Sequence, residues 1–142
     1  MSELRIASVW TTWSKTLLSV LRIVAAFTFI QHGTAKLLTF PHSLLPSGGT
    51  LPITTLAGAG GVIELVGGTL LLLGLFTRPV AFICAGEMAV AFFKVHFPQG
   101  FWTLFNGGEL AVVYCFLWLY ISAAGPGPWS LDAMRGRAAT SA

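Results

Sequence analysis

The sequence predicts an all-α, membrane-embedded four-helix bundle with both termini cytoplasmic, and three observations predict it. Of 142 residues, 55% are apolar and only 9% charged, with a mean hydropathy of +0.79. A water-facing domain carries charge on about a quarter of its residues, so this surface cannot be wetted all round. Four apolar stretches each approach the roughly 17–25 residues that cross a bilayer as a helix. The breaks between them carry turn chemistry. The same composition excludes intrinsic disorder, which goes with low hydrophobicity and many charges. The length suits a single domain, 1–142.

The first span is expected at 13–38, before Phe40-Pro41 and Pro46-Ser47-Gly48-Gly49. Arg22 interrupts its apolar run and no small-residue cleavage site precedes Gln31 and His32. The stretch therefore reads as a retained span rather than a signal peptide. The second span, 53–76, ends in the tight connection Thr77-Arg78-Pro79. Pro79 suits the first turn of a third helix, where its missing N–H goes unneeded. That helix, 79–97, closes at Phe97-Pro98-Gln99-Gly100. The fourth, 104–124, is stopped by Gly125-Pro126-Gly127-Pro128. Residues 125–142 are then expected to form a cytoplasmic tail.

Orientation follows from the basic residues outside the spans. Arg5, Lys15, Arg78, Arg135 and Arg137 fall on the side of both termini and the second loop. The first and third loops hold no Lys or Arg, although Lys36 and Lys94 lie just inside their edges. The positive-inside rule then puts both termini in the cytoplasm of a bacterial inner-membrane type of protein, crossing the bilayer several times. Trp10, Trp13, Trp102 and Trp129 sit at span ends, where amphipathic rings favour the interface. The net charge of +3 is small and scattered, so no nucleic-acid footprint exists. Cys84 and Cys115 lie in apolar segments without a C-x-x-C pair and read as inert thiols.

Against that apolar background the ionisable residues stand out, each costing roughly 2.5–3.5 kcal/mol near the bilayer centre on insertion scales. Glu64, Glu87 and Glu109 lie in spans two, three and four, Gln31, His32 and Lys36 in the first, and Lys94 and His96 close the third. From the helical rise, His32 lies about 9 Å below the outer edge, Glu109 about 8 Å, and Glu64 and Glu87 about 15 Å. Lys36, Lys94 and His96 lie within about 5 Å of that edge. All four helices thus send polar groups into the outer half. Such groups are expected to face the bundle interior, because lipid offers them no partners. His32 and Lys36, four apart, share one helix face. Gly60, Glu64 and Gly68 repeat at four with Gly61 and Gly67 beside them, and Gly107 and Gly108 precede Glu109. These small residues are expected to let helices pack closely around the acids.

The plain account is that the three Glu pair with His32, Lys36 and Lys94 and only fix packing. Buried ion pairs are weak sources of stability, so intramembrane ionisable groups are functional candidates by default. The functional reading is a polar pocket or proton relay opening toward the outer face. Haem ligation by His32 and His96 is disfavoured by depths that differ by about 8 Å. A di-metal bundle is disfavoured because the paired Glu-x-x-His motif is absent, so no metal is expected. Arg22 reads as a snorkelling residue. Phe92, Phe93, Phe97, Phe101, Trp102 and Phe105 rim the outer mouth, as interfacial anchors or as a wall for a flat ligand.

Several segments together resemble the DoxX family of small membrane proteins. They are Gln31-His32-Gly33-x-x-Lys36-Leu37, Gly61-x-x-Glu64-x-x-Gly67-Gly68 and Gly74-Leu75-Phe76-Thr77-Arg78-Pro79. Glu87-Met88-Ala89-Val90-Ala91 with His96, Gly100-Phe101, Asn106-Gly107-Gly108-Glu109 and 125–132 complete the series. Lys94 departs from the family, which usually has an apolar residue there. The resemblance implies a four-helix membrane protein and a link to quinone-dependent sulfur oxidation, thiol and oxidative stress, or detoxification of catechols and quinones.

Three functions follow as expectations. One is a subunit of a membrane redox system whose pocket binds a quinone or quinone-like molecule, with no other cofactor assigned. Gln31, His32 and Lys36 would serve the carbonyls, and Glu64, Glu87 and Glu109 would exchange protons. A second is a non-catalytic assembly subunit, docking on protein partners in a larger complex or on its own copies. A third is a small-solute or proton carrier, against which stands an inner half whose only charged group is Arg22.

Overall fold

The computed structural model describes the backbone of residues 2–140 and the side chains of residues 9–136. The side chains of Arg5 and Arg137, counted above for orientation, lie outside the described residues. The chain forms α1 (Ser2–Leu37), α2 (Leu56–Leu73), α3 (Thr77–Ala91), α4 (Thr103–Asn106), α5 (Glu109–Ala124) and α6 (Leu131–Thr140). A π-helical turn, Phe92–His96, and a 3₁₀ turn, Phe97–Gln99, prolong α3. No strand occurs among the described residues. Val9–Leu37, Leu56–Leu73 and Thr77–Gln99 are each long and apolar enough to cross a membrane. The shorter α5, of 16 residues, has α4 as its lead-in. The protein is all-α and spans the membrane several times.

Local chemistry sets the helix ends. Thr55 caps α2, its Oγ1 accepting from Gly58 N at 3.1 Å. At the far end Gly74 turns left-handed (φ 67°) and Leu75 N donates to Leu70 O at 2.9 Å, satisfying a terminal carbonyl. Only a glycine fits there, because a Cβ would stand 2.4 Å from Ser130 Cβ. Helix α3 has no cap from its own neighbours. Asp132, from beyond α5, accepts from Phe76 N at 2.9 Å and Thr77 N at 2.8 Å.

In lipid the helices gain nothing from hydrophobic transfer against one another, so close packing must hold them. Helix α1 packs most extensively on α2, and α3 on α5. At Gly33 of α1 a Cβ would lie 2.6 Å from Leu65 N, and at Gly68 of α2 one would lie 2.7 Å from Ile30 Cγ1. Gly61 likewise faces α1, at Lys36 Cβ, whereas Gly60 and Gly67 face α3, at Glu87 and Cys84. The glycines of α2 therefore form two stripes seven residues apart in register, not one stripe four apart. Between α1 and α5, Phe29 meets Tyr114 and Trp118 at centroid distances of 5.2 and 5.4 Å. Trp118, with fully buried Leu71 and Ile121, fills the half of the bundle that carries both termini, and Phe29 and Tyr114 bound it toward the other half.

Arg22 corrects the sequence reading. It does not snorkel, for none of it is exposed. Its guanidinium donates to the carbonyls of Leu71 and Leu72 at the end of α2 and to those of Pro126 and Trp129. Because guanidinium presents five donors and no acceptor, a ring of free carbonyls is a natural partner. One residue thereby satisfies a helix terminus and ties down the segment after α5.

Candidate functional site

The opposite half of the bundle is hollow. A cavity of about 540 Å³ lies among α1, α2, α3 and α5, within the usual range of small-molecule sites. Its walls are largely apolar, from Phe29, Ile63, Met88 and Ala111. A few polar groups converge on them. Lys36 Nζ, one turn beyond His32 on α1, lies 2.7 Å from Glu64 Oε1 of α2. Glu64 is 2% exposed and Lys36 17%, so the pair is withdrawn from bulk solvent. Across from them Glu87 extends from α3 over Gly60. A Cβ at Gly60 would stand 2.9 Å from Glu87 Oε1 and 3.9 Å from Lys36 Nζ, so this glycine makes room for both side chains. Glu64 Oε2 and Glu87 Oε2 are buried without a hydrogen-bond partner. Buried polar atoms are normally paired, so two orphaned carboxylate oxygens in one cavity mark a place prepared for a donor.

Two imidazoles complete the lining. His32 stands edge-on to Tyr114, with centroids 6.3 Å apart. Tyr114 is anchored by a 2.5 Å hydrogen bond between its hydroxyl and Thr28 Oγ1, and its ring stacks on Trp118. His96 is held from the other side. Its Nδ1 donates to Asn106 O at 3.0 Å, which fixes the tautomer and leaves Nε2 as an acceptor in the neutral ring. The π-helical turn makes this possible. Phe97 N bonds to Phe92 O, five residues back, and the extra residue in the turn aims His96 inward while Lys94 points out. Such π-bulges frequently occur at functional sites. Asn106 is itself secured, with Nδ2 donating to Gly100 O at 2.7 Å and Oδ1 accepting from Gly108 N at 2.7 Å. A Cβ at Gly108 would come 2.8 Å from His96 Cβ, so that glycine seats the histidine. Gly107, at φ 69°, ends α4.

Of the polar residues singled out from sequence, the structure gathers His32, Lys36, Glu64, Glu87 and His96 around the cavity. Gln31 and Lys94 are exposed on the outside of their helices. Glu109 is exposed too, on a shallow groove with Thr103, Leu104 and Val113. Tyr114 and Asn106 join the site without a role assigned from sequence, although Asn106 lies in a segment that carries the family resemblance. A hydroxyl in the middle of an otherwise apolar span was the available signal for Tyr114. Among the described residues no three metal-ligating side chains converge. What the arrangement offers is a donor (Lys36), two carboxylates and an imidazole acceptor in an apolar chamber. That set can orient a small, mostly apolar molecule by its polar end and exchange protons with it.

The chain is 50% identical over 118 residues to an uncharacterized protein of Haemophilus influenzae, covering 81% of this chain and 87% of that one. It is 28% identical over 134 residues to an uncharacterized membrane protein of Mycobacterium tuberculosis, covering 84% and 82%. No solved structure is significantly similar. The DoxX family model matches residues 17–97, a segment that holds α2, α3 and every cavity acid, and the chain accordingly belongs to the DoxX family of multi-pass membrane proteins.

Proposed function

We propose that this DoxX protein is a subunit of a membrane redox system whose cavity binds a quinone or quinone-like small molecule. The observation that carries the reading is the pair of unpartnered, buried carboxylate oxygens beside Lys36 in a chamber that is otherwise apolar. A quinone head is flat and apolar, with carbonyl oxygens at its ends. The Lys36 ammonium donates to a carbonyl, and hydrogen bonds from charged groups are the stronger kind. Two-electron reduction of such a head consumes two protons, which Glu64 and Glu87 would hand over from their protonated forms, and the two hydroxyls of the quinol so formed then supply the donors that Glu64 Oε2 and Glu87 Oε2 lack. The sequence carries no motif for an electron carrier, so the electrons come from a partner subunit. The filled terminal half, with Trp118, Leu71 and Ile121 wholly buried, supports a binding chamber over a through-path for solutes. With both termini cytoplasmic, as the distribution of Lys15, Arg78 and Arg135 favours, the chamber opens toward the outer leaflet.

The test is quinone retention and binding. Protein purified from native membranes in mild detergent should carry quinone, seen in the redox difference spectrum of an organic extract. K36M and E87Q should each weaken binding of an added quinone by about tenfold or more, the effect of one hydrogen bond to a charged group. Retention of no quinone, together with equal affinities in wild type and both variants, would overturn the reading.

A further inference from the structure

The cavity is not closed on all sides. Several residues that line it are at the same time exposed on the outside of the bundle. Ala59 on α2 and Gly86 and Val90 on α3 do both. They belong to the two helices that border the seam between α2 and α3, which pack less extensively than α1 with α2 or α3 with α5. Gly86 stands beside open space, since a Cβ there would meet nothing within 4 Å. It lies nine residues beyond Thr77 in an apolar helix that runs to Gln99, or about 14 Å along the axis. That depth is level with hydrocarbon, not with headgroups or water. The polar groups Lys36, Glu64 and Glu87 lie inward of this seam, while everything along it is apolar.

We infer that the ligand has an aliphatic tail: its polar head sits at Lys36, Glu64 and Glu87, and its tail leaves sideways into the bilayer between α2 and α3, past Gly86. The inference rests on the quinone reading for the head and adds the path and the class of molecule. A water-soluble ligand has no use for an apolar mouth at mid-depth. A lipid-dissolved one reaches its site through such a mouth without crossing an interface. The gap beside Gly86 then accommodates the first methylenes of the tail, and Val90 and Ala59 flank them.

Equilibrium binding in phosphatidylcholine nanodiscs tests this with two probes, a tail-less methoxyquinone and its decyl-substituted analogue. Wild type, G86L and V90F are compared. Partition of each probe into the same lipid is common to all three proteins and cancels in the ratio of affinities. G86L fills the open space at the mouth, where its Cβ meets nothing within 4 Å. It should weaken the decyl compound by about tenfold, as loss of contact with about two methylenes would. The tail-less compound should stay within about twofold of wild type, the range of a neutral substitution. V90F, one turn further along α3, should act in the same direction and serves if G86L elutes as an aggregate. Equal shifts for both compounds, or no shift for either, in the folded variants would overturn the tail path while leaving the head site standing. Wild type binding neither compound would overturn the quinone reading and this inference with it.

Discussion

At the scale of single residues the site turns on an imbalance, with one cation, Lys36, serving two carboxylates, Glu64 and Glu87. Only Glu64 is in direct contact with it. Removing one member of a buried pair strands the other's charge, whereas removing both is often nearly neutral. K36M should therefore cost about 3 kcal/mol of stability, and K36M/E64Q should recover most of it. Unfolding titrations in mixed micelles on the four members of that cycle measure the coupling, and additive losses would refute a direct pair. The sequence made both partners legible but not their pairing, since counting along the spans put Lys36 about 10 Å nearer the outer edge than Glu64. His32 and Lys36, four apart, must share a face, and a carboxylate flanked by glycines in α2 must meet a neighbouring helix. Gln31 and Glu109 show the limit of such reasoning. Residue counting gives depth within one helix but not between helices, for α1 and α2 are offset so that Lys36 Cβ faces Gly61, and direction around a helix does not follow from it at all. One residue of offset turns a side chain by about 100°, so Gln31 points outward beside His32. Glu109, as the first residue of α5, falls where the helix meets open space.

Among elements, the described glycines of the membrane-spanning helices α1, α2 and α3 divide into those that the packing requires and one, Gly86, that it does not. Gly33 sits against backbone, with Leu65 N and Gly61 O both under 3 Å from where a Cβ would be, and backbone cannot rotate aside. G33A should push α1 from α2 and cost about 1–3 kcal/mol, as overpacking does. G86A meets nothing and should instead stabilise α3 by up to about 1 kcal/mol through helix propensity. Thermal unfolding of the two variants side by side checks the contrast, and equal changes would contradict it. The abundance of glycine in α2 was readable as close packing. Its split into one pair toward α1 and one toward α3 was not, because a seven-residue repeat of adjacent glycines fits either a broad stripe or two narrow ones. The π-helical turn at Phe92–His96 was equally hidden. Its residues are ordinary helix formers and aromatics, and the widening is set by the contacts His96 makes with Asn106 and Gly108.

Across the whole molecule the two ends divide the labour, one holding the chamber and the other holding the fold. The terminal end is built on contacts distant in sequence. Arg22 reaches Leu71 and Trp129, Trp129 N donates to Ser19 Oγ at 3.2 Å, and Arg78 donates to the carbonyls of Ser122 and Ala123 that end α5. The four apolar spans announced the bundle, yet nothing in the composition of 125–132 announced that this stretch closes it. Asp132 is the part of that closure that pH can address. Its partial burial opposes ionisation, but the Thr77 and Phe76 amides and Arg135 outweigh this and hold its carboxyl below the ordinary value. A group with a depressed folded pKa contributes stability above its unfolded pKa of about 3.9, and the contribution is lost as pH falls through the folded value. Wild type should therefore lose stability below about pH 4 by more than D132N does. At neutral pH D132N should be the weaker protein by about 1 kcal/mol, the worth of a helix cap. Because Asp132 lies at the end away from Lys36, Glu64 and Glu87, D132N should bind ligand with unchanged affinity while it melts earlier. Melting curves from pH 3 to 7, run beside a binding isotherm, separate the two effects. Loss of affinity in a folded D132N protein would show instead that the two ends are coupled and that the latch tunes the chamber.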